Sequence, residues 1–315
     1  MWYHCTTSYQ FVGKPVVSHT IGKGASGSDI DPRAAVDTSA AAPVEKPSGI
    51  LHPQAGARQF ALRRYPPAHD LAFFVERFWL VAWDVHGREP YLQTTLPHPC
   101  VNLVIEPEQT AVHGVTTRSF TYSLHERGRV FGVKFRPGAF YPFVQTPVAR
   151  LNDSSISLRE AFGDDCPPLI TAFRAQADVS TLIVLAETFL RARLPAPDAT
   201  VTRINQIVDA IIADRTITRV EAVAHRFELT PRTLQRLFRR YVGISPKWVI
   251  RRYRLHEAAE LLANGNRLDW PALALDLGYF DQAHFINDFK ALIGTTPAAY
   301  ARTNATSISS ESTAR

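Results

Sequence analysis

The chain has 315 residues, a net charge of +6 and a 45% hydrophobic composition, enough for about two domains with ample core. No run approaches the about 18 uninterrupted apolar residues of a membrane-spanning helix. Cys5, Cys100 and Cys166 are scattered, with no CxxC pair, which fits a reducing cytosol better than a disulfide framework. The amino end, MWYHCTTSYQ, lacks the basic-then-apolar order of a signal peptide, so a soluble cytoplasmic protein is expected.

In chain order, residues 1–55 are rich in Gly, Ser, Ala and Pro and bury too little apolar surface to offset their ordering entropy. They read either as a disordered tail or as the product of a wrongly assigned start. From Phe60 to about Pro147 the texture is strand-like. FFVERFWLVAW, VNLVIEP, RSFTYSL and RVFGVKF are short β-branched and aromatic runs divided by Gly, Pro, His and Asn. They predict a small barrel or sandwich. SLREAFG and then Leu182–Leu194 have helical spacing, and LPAPDAT, Leu194 to Thr200, reads as a linker. The expected organisation is therefore a tail (1–55), a β-rich regulatory, effector or dimerisation domain with appended helices (56–195), a linker (196–202), an all-helical domain (203–302) and a tail (303–315).

The helical third is strongly basic. Between Arg226 and Arg254 stand nine Lys or Arg against the single acid Glu228, and a basic patch confined to one domain points to a polyanion. TPRTLQRLFRR explains where the charge goes: Thr230 is a favoured N-cap, Pro231 suits the first helical turn, and Leu234, Leu237 and Phe238 make one apolar face. Arg232, Gln235, Arg236 and Arg239 are left on the other. SPKWVIRRYRLHEAAELLANG predicts a long helix capped by Ser245 and ended by Gly265, about 27 Å from Pro246 to Ala263.

A repeat flanks that helix. Val223, Ala224, Phe227 and Leu229 recur as Leu273, Ala274, Leu277 and Tyr279 at an offset of fifty; Thr230, Leu234 and Phe238 recur as Asp281, Phe285 and Phe289 at fifty-one. Each copy is a short helix, a tight turn, an N-cap and a second helix, which is a helix-turn-helix. The major groove admits one α-helix, and two such units held about 34 Å apart can engage successive grooves.

On these residues, VAHRFELTPRTLQRLFRRYVGISPKWVIRRYRLHEAAELL and LALDLGYFDQAHFINDFKALIGTTPAAYAR, positions 203–302 resemble the DNA-binding domain of the AraC/XylS family of bacterial transcription regulators. YPPAHDLAFFVERFWLVAW, LPHPCVNLVIE and GVKFRPGAF more loosely resemble the β-rich N-terminal domain of one subgroup. The resemblance implies a regulator of promoter DNA, often dimeric, in some members controlled by a small molecule, with RNA polymerase as a further partner, no cofactor and no catalytic activity. It places Arg232, Gln235 and Arg236 at base edges of the first reading helix, where Arg suits guanine and Gln adenine, with Thr233 among the DNA-binding residues. Arg239, Arg240, Lys247, Arg251 and Arg252 are expected at phosphates. The second reading face is Gln282, Ala283, His284, Ile286 and Asn287, with Lys290 following and Asp288 close by, and is expected to contribute less electrostatic affinity.

Glu228 departs from the pattern, standing where the first turn often has Gly, as the second does at Gly278; a left-handed backbone there strains Glu by about 1 kcal/mol. In the β-rich region His98 and Cys100, with His86 and His113 nearby, lack a conventional zinc spacing, so no metal is expected. The alternative reading, a metal-dependent β-barrel enzyme fused to a DNA-targeting domain, would need a clustered His/carboxylate set. The aromatics Phe73, Phe74, Phe78, Trp79 and Trp83 read as core, and Trp248 as a core contact on the long helix. Arg136 either binds an anionic effector or caps a loop. The amphipathic stretch from Leu182 either pairs with its twin in a dimer or packs on its own domain.

Overall fold

The structure, a computed structural model, describes residues 59–263 and 269–303 together with Gly56. The expectations for the two tails, for Cys5 and for Gly265 lie outside those residues, except Thr303, which ends the last helical turn at 297–303. All described residues belong to one compact unit, Pro47–Arg315.

The N-terminal half is an antiparallel six-stranded sheet in the order β1-β2-β7-β4-β5-β8 with a separate β3–β6 ribbon. The strands are β1 (Phe60–Tyr65), β2 (Val75–Asp84), β3 (Tyr91–Thr95), β4 (Asn102–Ile105), β5 (Thr110–His113), β6 (Phe120–Leu124), β7 (Arg127–Phe135) and β8 (Ser155–Ser157). The long pair β2–β7 is the spine. Its register sets Trp79 opposite Gly132 and Trp83 opposite Gly128, and each indole lies flat over the glycine it faces. A Cβ at Gly132 would come within 2.1 Å of the Trp79 ring, so these glycines are required by close approach.

The opposite face carries Phe78, Phe131, Val133 and Phe135, all buried, and four helices cover it: α1 (Tyr141–Val144), α2 (Leu158–Phe162), α3 (Pro167–Arg174) and α4 (Val179–Arg191). Ser157 and Glu160 close a capping box on α2, and Asp178 caps α4 by accepting from the Thr181 amide at 3.0 Å. Leu182, Ala186, Phe189 and Leu190 of α4 sit in this core, so the amphipathic stretch packs on its own domain.

The C-terminal half is all helical: α5 (Ala199–Ala213), α6 (Val220–Arg226), α7 (Pro231–Leu237), α8 (Pro246–Ala263), α9 (Trp270–Asp276) and α10 (Gln282–Ile293). A π-turn, Phe238–Val242, extends α7 and ends at Gly243, whose φ is +101°. Two cores flank α8. One gathers Ile204, Ile207, Val223, Leu234, Phe238 and Val249, and the other Leu255, Ala258, Ala274, Phe285 and Phe289. Val115 and Leu96 of the β-rich half complete the first and second of these cores, respectively.

Candidate nucleic-acid interface

The repeat seen in the residues recurs in the hydrogen bonds. In the first turn the amides of Phe227, Glu228 and Leu229 donate to the carbonyls of Val223, His225 and Ala224; in the second, Leu277, Gly278 and Tyr279 donate to Leu273, Leu275 and Ala274. The offset is fifty at every atom pair. The caps repeat too: the Thr233 amide donates to Thr230 Oγ1 at 3.1 Å and the His284 amide to Asp281 Oδ1 at 2.7 Å. Ala224 and Ala274 are both buried, in the cores that hold Leu234 and Phe285 respectively. Both turns need a left-handed residue, Glu228 at φ +51° and Gly278 at φ +79°. The strain anticipated for Glu228 is therefore present.

The two reading helices expose different chemistry. On α7, Leu234 is buried while Arg232, Gln235, Arg236 and the following Arg239 are exposed and Thr233 half-exposed. Four long donor side chains thus project from one surface with no acid among them. On α10, Phe285 and Phe289 are buried, Ala283, His284, Asn287 and Lys290 are exposed, and Gln282 is half-exposed. Asp288 lies among them, its carboxylate bound by Arg251 of α8 and 3.6 Å from His284 Nε2.

This duplicated unit matches known helix-turn-helix sequences. Residues 223–303 match the family described as a helix-turn-helix domain, and residues 63–157 match one described as a domain of unknown function, DUF6597. The regulatory protein PocR of Salmonella typhimurium is 32% identical over 111 residues, which are 34% of this chain and 35% of PocR. Residues 223–303 are a helix-turn-helix domain of AraC/XylS type. The chain spans about a third of the length of that curated relative. Among solved structures, the C-terminal domain of AraT, a response regulator from Geobacillus stearothermophilus, is 29% identical, covering 31% of this chain and 82% of that one, with a TM-score of 0.28. ToxT from Vibrio cholerae is 12% identical, covering 77% and 98%, with a TM-score of 0.33.

In this AraC/XylS-type domain several cations expected at the phosphate backbone have partners within the protein. Arg252 is 1% exposed: its Nε donates to the Pro97 carbonyl at 2.8 Å, and its Nη2 lies 3.4 Å from His98 Nε2. The expectation of a phosphate contact is corrected for this residue, because α8 is covered on the side where a surface helix would face water. Arg254 is equally buried, donating to the Ile211 carbonyl and to Glu257 at 3.1 Å. Arg240 keeps an exposed edge, but its Nε donates to the Tyr141 hydroxyl at 2.7 Å and its guanidinium lies 4.9 Å from that ring's centroid. Lys247 is exposed.

The same contacts tie the β-rich half to the helix-turn-helix half. Trp248 Nε1 donates to the Thr117 carbonyl at 3.2 Å, Asn152 Nδ2 to the Gly243 carbonyl at 2.7 Å, and Asn205 Nδ2 to the Pro137 carbonyl at 3.1 Å. Asp198 caps α5 through the Thr200 amide at 2.7 Å and accepts from the Tyr241 hydroxyl at 2.8 Å, so the linker is itself pinned. Apart from the local Asp198 cap, none of these bonds is visible in local patterning, since each joins residues far apart in the chain.

In the β-rich half, Phe74 and Phe78 are core and Phe73 packs on it, whereas Trp79 and Trp83 line the other face over their glycines. Arg136 donates through Nε to the Ala72 carbonyl at 2.7 Å, a loop-holding bond. Cys100 is buried, and burial pushes its thiol up to about 11. Beside it the buried Lys134 is paired with Glu76 at 3.2 Å. Among the described residues no three His, Cys, Asp or Glu side chains converge on a point that could hold a metal ion, and no helix is long and apolar enough to cross a membrane.

Proposed function

We propose that the protein is a sequence-specific transcription regulator that inserts α7 and α10 into successive major grooves of promoter DNA. The observation that carries this reading is the duplicated turn, hydrogen bond for hydrogen bond, with each reading helix presenting an exposed polar face. Arg232, Thr233, Gln235 and Arg236 contact base edges, Arg239 and Lys247 bind phosphates, and Arg240 and Arg251 hold the frame while lending positive potential. Gln282, His284, Asn287 and Lys290 form the second contact set. The β-rich half sets the orientation of α8, and through it the register of the two helices; a small-molecule effector or a second copy of the chain acting on that half would act through those bonds. Function in the cytoplasm, with RNA polymerase as downstream partner, and no catalytic step are part of the same proposal.

Selection of bound fragments from a pool of random duplexes tests it. The expected result is a bipartite consensus whose halves are centred about 10–10.5 base pairs apart. Binding blind to sequence and lost steeply with added salt would instead mark a general polyanion binder.

A further inference from the structure

The second copy of the repeat contains one residue more than the first. In the first unit the chain runs from Leu229 directly to the cap, Thr230; in the second, Phe280 stands between Tyr279 and the cap, Asp281. Tyr279 is the true counterpart of Leu229. Both donate their amide to the carbonyl five residues back, at 2.9 Å in each case, and both turn inward. The Tyr279 ring lies 5.1 Å from that of His284 and 5.6 Å from that of Phe285.

An apolar residue just before a cap ordinarily packs on the fourth residue of the helix, which here is Phe285. That place is taken: Phe285 is fully buried among Tyr279, Phe289 and Trp270. Phe280 is left 90% exposed at the amino end of α10. In helix-turn-helix proteins this is the end that meets base edges.

The residues beside it have matching chemistry. Ala283 is exposed and apolar, Gln282 and Asn287 carry carboxamides, and Arg251 of α8 is held by Asp288. No residue of α10 itself carries the bidentate guanidinium that suits guanine. Carboxamides suit adenine N6 and N7, and apolar groups suit the 5-methyl of thymine. We propose that Phe280 is a specificity-determining residue that packs on a thymine methyl, so that α10 reads an A·T-containing half-site while the arginines of α7 read a G·C-containing one. This rests on the two-groove reading above.

The test uses the full-length protein and the duplex recovered by selection, with each second-half thymine replaced in turn by deoxyuridine, which lacks only the methyl group. Loss of one buried methyl contact predicts about fourfold weaker binding at one position. Phe280→Ala should bind the thymine duplex that much more weakly and show no response to deoxyuridine, with the first-half consensus unchanged. Phe280→Leu should retain part of the response. Because the side chain is exposed, both variants should melt as the wild type does. Equal affinity of Phe280→Ala for the thymine duplex overturns the proposal. So does a second half-site without thymine, or a variant that binds DNA normally yet fails only in transcription, which would make Phe280 a protein contact. Those outcomes leave the first-half consensus, and so the two-groove reading, standing; absence of any consensus removes both.

Discussion

Arg252 on α8 donates to the carbonyl of Pro97, 155 positions earlier in the chain, across 2.8 Å. A guanidinium on the long helix is thereby spent on holding the β-rich half, not on DNA. Arg252→Ala leaves the Pro97 carbonyl unpaired and a void beside it, and should lower the unfolding free energy by about 1–3 kcal/mol. Urea denaturation measures this. The dependence of DNA affinity on salt should not change, since no phosphate contact is lost.

Arg236 stands at the other extreme, exposed on α7 with no acid on its face. Arg236→Ala should cost about 1–3 kcal/mol in operator binding and relax preference at one base pair. Thermal stability should stay within about 0.5 kcal/mol of the parent. Titration against a set of base-substituted operators checks both the loss and its position.

The two turns make a matched pair of opposite predictions. Glu228 bears a φ of +51°, so Glu228→Gly should stabilise the fold by up to about 0.5 kcal/mol after allowing for glycine's looser unfolded chain. It also removes the single acid between Arg226 and Arg254. Gly278→Ala should destabilise: its φ is +79°, and the added Cβ would meet Thr218 at 2.6 Å. Denaturant midpoints of the two variants should move in opposite directions.

His256 supplies a pH dependence. Burial, reinforced by the positive Arg252 nearby, pushes its pKa down to about 3, outweighing the Glu260 carboxylate 3.1 Å from Nε2. The unfolded chain protonates this imidazole at about pH 6.5 while the folded one does not. Its contribution is therefore fully present above that pH and is lost as pH falls toward 3, by up to about 1.4 kcal/mol per pH unit. Urea unfolding at intervals from pH 7 to pH 4 should show the fall, and His256→Leu should flatten it.

The helix-turn-helix pair was legible because its rules are local. Caps at Thr230 and Asp281, small residues at Ala224 and Ala274, and anchors four apart at Leu234/Phe238 and Phe285/Phe289 all act within one unit. Strands β2, β4, β6 and β7 were legible as apolar runs. The short β3, β5 and β8 were not, because YLQTT, TAVH and SIS gain their order from the strands they pair with. The exposure of Phe280 is hidden in the sequence for a similar reason: an aromatic beside a cap reads as core until Tyr279 is seen occupying that place.

By itself, then, the sequence determined the duplicated reading unit and the sign of its surface, since periodicity, capping and charge act over a turn or two of helix. Only the tertiary structure decided which cations remain free. Arg239 and Lys247 stay at the surface, while Arg252 and Arg254 are drawn inward by the carbonyls of Pro97 and Ile211. The physical reason is that a buried charge is tolerated only where an acceptor awaits it. Those acceptors lie on segments that come beside α8 only when the whole chain folds.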